Sequence, residues 1–296
     1  MIACALCVGS SPEPYLQATL ASIEGLVDLL LVNDNAASLN PNLTTIEASA
    51  FAREGRLHVV KTKFADFATM RNDAFAALKA ITQPDWVLWL DADEVHSQRI
   101  AELVRGLLPR LGPEYGSVDG YTDHFLGSFG WIKDVARRFC AYRFSPDLRW
   151  RNAVHEKVEG LRGKAAVIPY RYAHYGNVLP PSLAVEKHAR YLQLGSAVSY
   201  ELPSLQTATV ETVYGERAKL ARRFHGEHPP AARELITRLE RDWAAELTEV
   251  EHLFRRSQRP SDRIANAVRG AVEETRIALR YLEHPRMWPL RPTHLS

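Results

Sequence analysis

Apolar residues concentrate in short segments through the first third of the chain, with helical spacing between them. Residues 2–8 and 86–90 are continuous apolar runs, the mark of buried strands, 27–32 reads as a second buried strand, and 57–62 as a further strand. Between 2–8 and 27–32, Tyr15, Leu16, Leu20, Ile23 and Leu26 share one helical face, and further helices are predicted over about 42–53, 69–81 and 99–111. Strands alternating with helices imply a parallel sheet with right-handed crossovers. From Ser117 to Val167 the pattern changes to mixed strands and loops, with segments at 121–125, 138–144, 154–158 and 165–169. After Pro180-Pro181 it is helical, with helices predicted over about 182–199, 204–224, 231–257 and 262–283. The fold class expected is α/β: a Rossmann-like, mostly parallel sheet flanked by helices over residues 1–200, then an α-helical extension over 201–296. The first part divides at residues 96 and 97.

Composition narrows the function classes. In 296 residues, 46% are hydrophobic and 24% charged, which supports a packed core and argues against general disorder. The net charge of +2 demands no polyanionic partner. Arg222-Arg223 and Arg255-Arg256 with Arg259 are short clusters mixed with glutamates. The helices carrying them are therefore expected to pack on the preceding domain or form a homodimer, ahead of touching membrane or nucleic acid. Cys4, Cys7 and Cys140 are an odd count in a chain of this size, which speaks against a disulfide scaffold, and Cys4 and Cys7 read as buried structural thiols. The N-terminus enters an apolar strand with no basic leader, and no apolar run approaches a membrane span, so a soluble cytoplasmic protein is expected.

Ligands in parallel α/β sheets bind at the carboxyl ends of the strands. Here those ends are polar: Gly9 to Glu13, Asn33-Asp34-Asn35, Lys63 to Asp66, and Asp91-Ala92-Asp93-Glu94. Neither a GxGxxG turn nor a P-loop lysine motif follows the first strand, so phosphate must be held another way. Three carboxylates within four residues at the end of a buried strand repel one another and need a positive partner. A divalent cation carrying phosphate oxygens suits them. These residues point to a metal-dependent enzyme acting on a nucleotide diphosphate. The competing reading is an acidic loop with Glu94 favouring the N-terminus of the next helix.

Asp91-Ala92-Asp93-Glu94 also resembles the DxD motif of family 2 GT-A glycosyltransferases. Val32-Asn33-Asp34-Asn35 stands where that family carries an Asp-Asp-Gly turn, and Asp66-Phe67-Ala68-Thr69-Met70-Arg71-Asn72 is similar to its segment ending in Ala-Arg-Asn. Arg149 to Glu156, Tyr172 to Gly176 and Glu186 to Tyr191 resemble one branch, which includes lipopolysaccharide-core and peptide glucosyltransferases. The resemblance covers about residues 1–195 and implies a GT-A fold. It also implies a nucleotide-sugar donor, most readily a UDP-sugar, and Mn2+ or Mg2+.

By that resemblance Asp93 is the direct metal ligand and Asp91 lies near the ribose and the metal's waters; His174 is a candidate third ligand because imidazole suits manganese. Asp34 would accept a hydrogen bond from the base, or else belong to a locally bonded turn. Arg71 would bridge carboxylate and phosphate. Asp66 would lie near the nucleotide, cap the following helix or orient Arg71. Gly9 and Glu13 are placed with the nucleotide. The family inverts the anomeric centre, so a base must take the acceptor's proton. Glu156 is the first candidate, with His155, Asp123 and Asp134 as alternatives. Arg137 and Arg138 are candidates for phosphate or an anionic acceptor; Trp131 and Trp150 serve either as a sugar platform or as core. The acceptor is open: glycan, peptide, lipid or small molecule, with nucleic acid less favoured. Two rival functions are a nucleotidyltransferase and a catalytically inactive nucleotide-sugar-binding module. The first lacks its usual glycine- and lysine-containing loop, and intact Asp91, Asp93 and Arg71 speak against the second.

Overall fold

The first apolar run forms β1 (Ile2–Val8), buried at every position but Cys7. In this computed structural model, which describes residues 1–193, 204 and 206–283, β1 is central to the parallel part of the sheet. It is followed by α1 (Leu16–Ile23), β2 (Leu29–Asp34), α2 (Leu43–Glu47), α3 (Ala50–Arg53) and β3 (Leu57–Lys61). Next come α4 (Phe67–Ile81), β4 (Trp86–Leu90), β5 (Glu94–His96) and α5 (Gln98–Leu107), which ends in a 3-10 turn at Leu108–Arg110. β6 (Tyr115–Leu126) and β7 (Ser128–Arg143) are far longer than the sequence pattern implies. They are followed by β8 (Arg149–Arg151), β9 (Lys157–Glu159) and β10 (Lys164–His174). The remaining elements are α6 (Pro181–Gln193), α7 (Val210–Ala218), β11 (Arg222–Arg223), α8 (Pro230–Asp242), α9 (Ala244–Ser257) and α10 (Pro260–Glu283).

Among the described residues the main sheet runs β3-β2-β1-β4-β7-β6-β10-β5, with β11 beside β7 and β8 and β9 forming a separate pair. β1 pairs in parallel with β2 and β4, and β2 with β3, whereas β7 returns antiparallel to β4. The fold is therefore α/β, Rossmann-like in its first half and helical toward its C-terminal region. The third strand, β3, is an edge among the described residues and only half-buried, with two exposed positions. The helix expected over 42–53 is two short ones, because Ser49 leaves the helical region and caps α3 by accepting from the Ala52 amide. Trp243 divides the helix expected over 231–257. The helix expected over 204–224 is reduced to α7, because Arg222 and Arg223 pair as a strand with Ile132 and Trp131. Residues 194–199 and 205 of the expected helices lie outside the described residues, as do residues 284–296 and the Cys140 side chain. No described helix is long and apolar enough to cross a membrane.

The chain divides into two compact units. The first is Met1–Gly120, Arg138–Tyr170 and Pro229–Ala232; the second comprises the described residues of Tyr121–Arg137, Arg171–His228 and Arg233–Ser296. Residues 121–137 and 171–193 are thus in one compact unit with the later helices. One core of the first unit joins Ala3, Ala5, Leu31, Phe75, Leu78, Val87, Trp89 and Tyr142. In the second unit Trp131, Val213, Tyr214, Val250, Leu253 and Phe254 pack together. There Gly127 turns β6 into β7 with φ of 70°, and a Cβ on it would come within 2.9 Å of Val250 Cγ1. Any side chain at this position is thus opposed by both backbone and packing.

β5 is buried at all three positions, and burial lowers the His96 pKa from 6.5 to about 3. In the window between those values the unfolded chain binds a proton that the folded chain refuses. This contribution to stability is full above about pH 6.5 and is lost as pH falls toward 3, by about 2 kcal/mol between pH 6.5 and 5. Urea unfolding at pH 7 and pH 5 should show this loss in wild type and a smaller one in His96→Gln. An equal loss in both proteins would rule out His96 as its source.

Candidate active site at the strand ends

The parallel register brings the strand ends to one edge. Asp34 is level with Val8 and with Lys61, and Leu90 with Leu6. Asp34 is buried there: Oδ1 accepts from the Ala36 amide at 2.9 Å and from Asn40 Nδ2 at 2.7 Å, and Oδ2 lies 3.4 Å from Lys61 Nζ. This is the locally bonded turn that the sequence left as one of two readings. Asn42 extends it, donating to the carbonyls of Gly9 and Ser11 and accepting from the Glu13 amide. Gly9 and Glu13 are thereby set beside the end of β2, and a Cβ on Gly9 would meet nothing within 4 Å. Asn40 and Asn42 were not singled out from sequence. The Asn40-Pro41-Asn42 run ahead of α2 was the available signal.

Asp66 caps α4 with both oxygens, accepting from the Thr69 amide at 2.9 Å and from Thr69 Oγ1 at 2.8 Å. The cap starts the helix so that Arg71 lies in its second turn. Arg71 has a side chain only 11% exposed; its Nη2 donates to Asp91 Oδ1 at 3.1 Å and its Nε lies 3.6 Å from Glu156 Oε1. The guanidinium carbon stands 4.8 Å from the Trp89 ring centroid and 4.9 Å from that of Trp150, whose planes are inclined at 58°. It is therefore wedged between two indoles and joined to two carboxylates. Burial opposes its charge, and Asp91 and then Glu156 raise its pKa despite that. Trp89 Nε1 is buried and has no acceptor among the described residues.

Trp150 is fastened from behind. Asn72 Nδ2 donates to the Trp150 carbonyl at 3.0 Å, and Asn72 Oδ1 accepts from its amide at 2.7 Å. Trp150 thus packs on Trp89 and Arg71. Replacing Asn72 with alanine strands both backbone groups at once, each worth about 1 kcal/mol or more. Asn72→Ala should therefore lower stability by about 2 kcal/mol, read as a shift in the urea midpoint at unchanged slope. A midpoint unchanged within error would refute the lock.

β8 and β9 form a hairpin, with Arg149 opposite Glu159 and Arg151 opposite Lys157. Its loop carries two non-glycine residues at positive φ, Asn152 at 71° and His155 at 56°. That geometry costs free energy and persists where surroundings enforce it. His155 is exposed, whereas the Glu156 carboxylate is 14% exposed and turned to Arg71.

The acidic turn closes on itself. The Asp91 amide donates to Glu94 Oε2 and the Glu94 amide to the Asp91 carbonyl, both at 3.1 Å. From α1, Thr19 Oγ1 donates to the Ala92 carbonyl at 2.8 Å and Ser22 Oγ accepts from the His96 amide at 3.1 Å. Asp91 is 38% exposed, whereas Asp93 and Glu94 are buried. Burial first, and then the Asp91 charge, push the Glu94 carboxyl well above the usual carboxylate range, although Arg138 Nη1 lies 3.4 Å away. Arg138 is thus a counter-charge to the acidic turn, a role its position alone did not suggest. Cys4 is buried beneath this edge and Cys7 is half-buried, its thiol facing the Met70 carbonyl at 3.8 Å.

The other expected site residues belong to the second unit. Asp123 is buried with both oxygens taken by the Arg171 guanidinium, Nε donating to Oδ2 at 3.1 Å and Nη2 to Oδ1. Burial raises its pKa against that partner. His174 stacks beside His124 with ring centroids 5.0 Å apart, and His124 Nδ1 lies 3.4 Å from Asp134 Oδ1. Trp131 is buried, its indole N–H donating to Glu251 Oε1 at 2.8 Å, so it serves as core. Arg137 is exposed.

No family model matches the chain, and no curated protein matches it. Among solved structures it is similar to one described as a mycobacterial protein, at 18% identity and a TM-score of 0.31, over 44% of this chain and 43% of that one. It is also similar to glucosyl-3-phosphoglycerate synthase from Mycobacterium tuberculosis, solved with Mn2+, UDP and glucosyl-3-phosphoglycerate. There the identity is 19% and the TM-score 0.30, over 41% of this chain and 44% of that one. The chain spans less than half the length of either.

Proposed function

We propose that this chain is an inverting, metal-dependent glycosyltransferase of the GT-A type that takes its sugar from a nucleotide-sugar donor, UDP-linked in the first instance. The observation that carries the reading is Arg71, wedged between Trp89 and Trp150 and joined to Asp91 and Glu156 at the carboxyl edge of a parallel sheet. That edge is where such sheets bind ligands. The Trp89 N–H supports it, because a buried donor without an acceptor costs about 1–3 kcal/mol that a ligand oxygen would recover.

The acidic turn fits a divalent cation by the chemistry of its donors. Asp91 and Asp93 offer hard carboxylate oxygens, and, after burial itself, the charges of both push the Glu94 pKa up. Among the described residues no group of three His, Cys, Asp or Glu is arranged to hold an ion. Asp91 and Asp93 would accordingly be the protein's ligands, with donor phosphates completing the shell. When bound, Mn2+ or Mg2+ would neutralise the departing nucleoside diphosphate. Arg71 adds a fixed positive charge beside Asp91 that requires no reorganisation as the diphosphate leaves. Asp34 would offer Oδ2 to the base, and the loop from Gly9 to Glu13 would line the nucleotide. Glu156, its orientation set by Arg71, is the proposed base: it takes the acceptor hydroxyl's proton as that oxygen attacks the anomeric carbon and the diphosphate leaves.

The test is thermal unfolding with UDP, GDP, dTDP and CDP, each with and without Mn2+. UDP with Mn2+ should raise Tm by several degrees, about 2.7 kcal/mol at one hundred times Kd, and neither should do so alone. If no nucleotide gives a metal-dependent shift, the proposal fails.

A further inference from the structure

The basic clusters that the sequence left without an assignment converge in the second unit. β11 places Arg222 and Arg223 beside Ile132 and Trp131, α9 brings Arg255, and α10 brings Arg263. These four guanidiniums and His225 line a cavity of about 610 Å³, a size suited to a small metabolite.

The charges there do not cancel. Glu273 Oε2 meets Arg222 Nη2 at 2.6 Å. Glu251 serves Arg223 at 2.7 Å and Arg255 at 3.4 Å. Arg263 meets no carboxylate among the described residues and donates only to the Arg255 carbonyl at 3.2 Å. Four positive charges against two negative ones leave two in excess.

The rest of the lining is fixed or small. Gln258 donates to the carbonyls of Ala218 and Ala221, and Asn266 to those of Lys219 and Ala221. Gly270 sits within the 24-residue α10, where glycine is a poor helix former. A Cβ there would lie 3.0 Å from Arg222 Nη1, so its absence leaves that guanidinium its place on the wall.

We propose that this cavity is a binding site for a small molecule bearing a phosphomonoester. A dianion matches the twofold excess of charge, and guanidinium forks match tetrahedral phosphate oxygens. Convergence from β11, α9 and α10 on one half-open concavity distinguishes this cluster from arginines spread along a single helix face. The proposal stands on the second unit alone and does not depend on the transferase reading.

Isothermal titration tests it with glycerol 3-phosphate, glucose 6-phosphate and inorganic phosphate, against glycerol and glucose. The phosphate-bearing probes should bind saturably and the neutral ones should not. The double variant R255Q/R263Q changes two exposed side chains and should weaken binding at least tenfold with Tm unchanged. R238Q/R241Q, on exposed positions of α8, should bind as wild type. The proposal is overturned if no soluble probe binds at millimolar concentration, or if the two double variants behave alike. It is overturned also if the soluble probes fail and vesicles containing phosphatidic acid pellet the protein through Arg255 and Arg263, which would make the cavity a lipid-headgroup site.

Discussion

Arg71→Ala should lower the stability of the protein by about 3 kcal/mol and reduce sugar transfer at least a thousandfold. The stability loss has two sources. Removing a buried cation leaves the mostly buried Glu156 and the half-buried Asp91 facing each other's charge without a counter-ion. It also opens the wedge between Trp89 and Trp150, where each ring contact with the guanidinium is worth about 0.5–2 kcal/mol. The estimate sits at the low end of the range for breaking buried pairs because Asp91 reaches solvent. Arg71→Lys separates charge from shape. It restores a cation but neither the plane that fills the wedge nor the two-sided reach, so it should recover part of the stability and little of the activity. Urea unfolding of both variants is the measurement. A loss below 1 kcal/mol in the alanine variant would mean that Arg71 is not what holds this edge together.

The second large effect runs the opposite way on stability. Asp93→Asn should abolish the metal-dependent nucleotide shift and lower transfer by about a thousandfold, yet leave the protein as stable as wild type or more so. The asparagine keeps the side-chain shape and removes one of the buried charges that crowd Glu94. Nucleotide titration calorimetry with Mn2+, followed by a thermal melt of the apoprotein, reads both arms. A variant that transfers within tenfold of wild type would remove Asp93 from the reaction. One that unfolds early would make the acidic turn a structural device held by Arg138.

The parallel half was legible from sequence because each strand is a local event. The runs in β1, β2 and β4 needed no partner to be recognised, and strand polarity then carried Asp34 and Asp91 to a common edge. What could not be read depends on residues distant in sequence. Asp66 could be assigned three roles until the Thr69 contacts showed it to be the α4 cap. Asp123 looked available until Arg171, 48 residues on, took both its oxygens. β3 is the edge of the main sheet among the described residues, a place set by the order of strands and not by its own residues. Trp150 had two readings that only its seat on Trp89 and Asn72 could separate. Arg138 lies 44 residues from Glu94, beyond the reach of any local pattern.

The clasp between Asn72 and Trp150 spans 78 residues of chain. On a ribosome, the acidic turn and Arg71 would emerge well before the hairpin that completes the wedge. Closing so long a loop is slow relative to forming the strand-helix-strand units within it. The pocket should accordingly be among the last parts of the first unit to mature. During refolding, recovery of nucleotide binding should lag behind recovery of far-ultraviolet circular dichroism, and a chaperone that shelters the nascent chain over that interval would raise the yield of active protein more than the yield of folded helix.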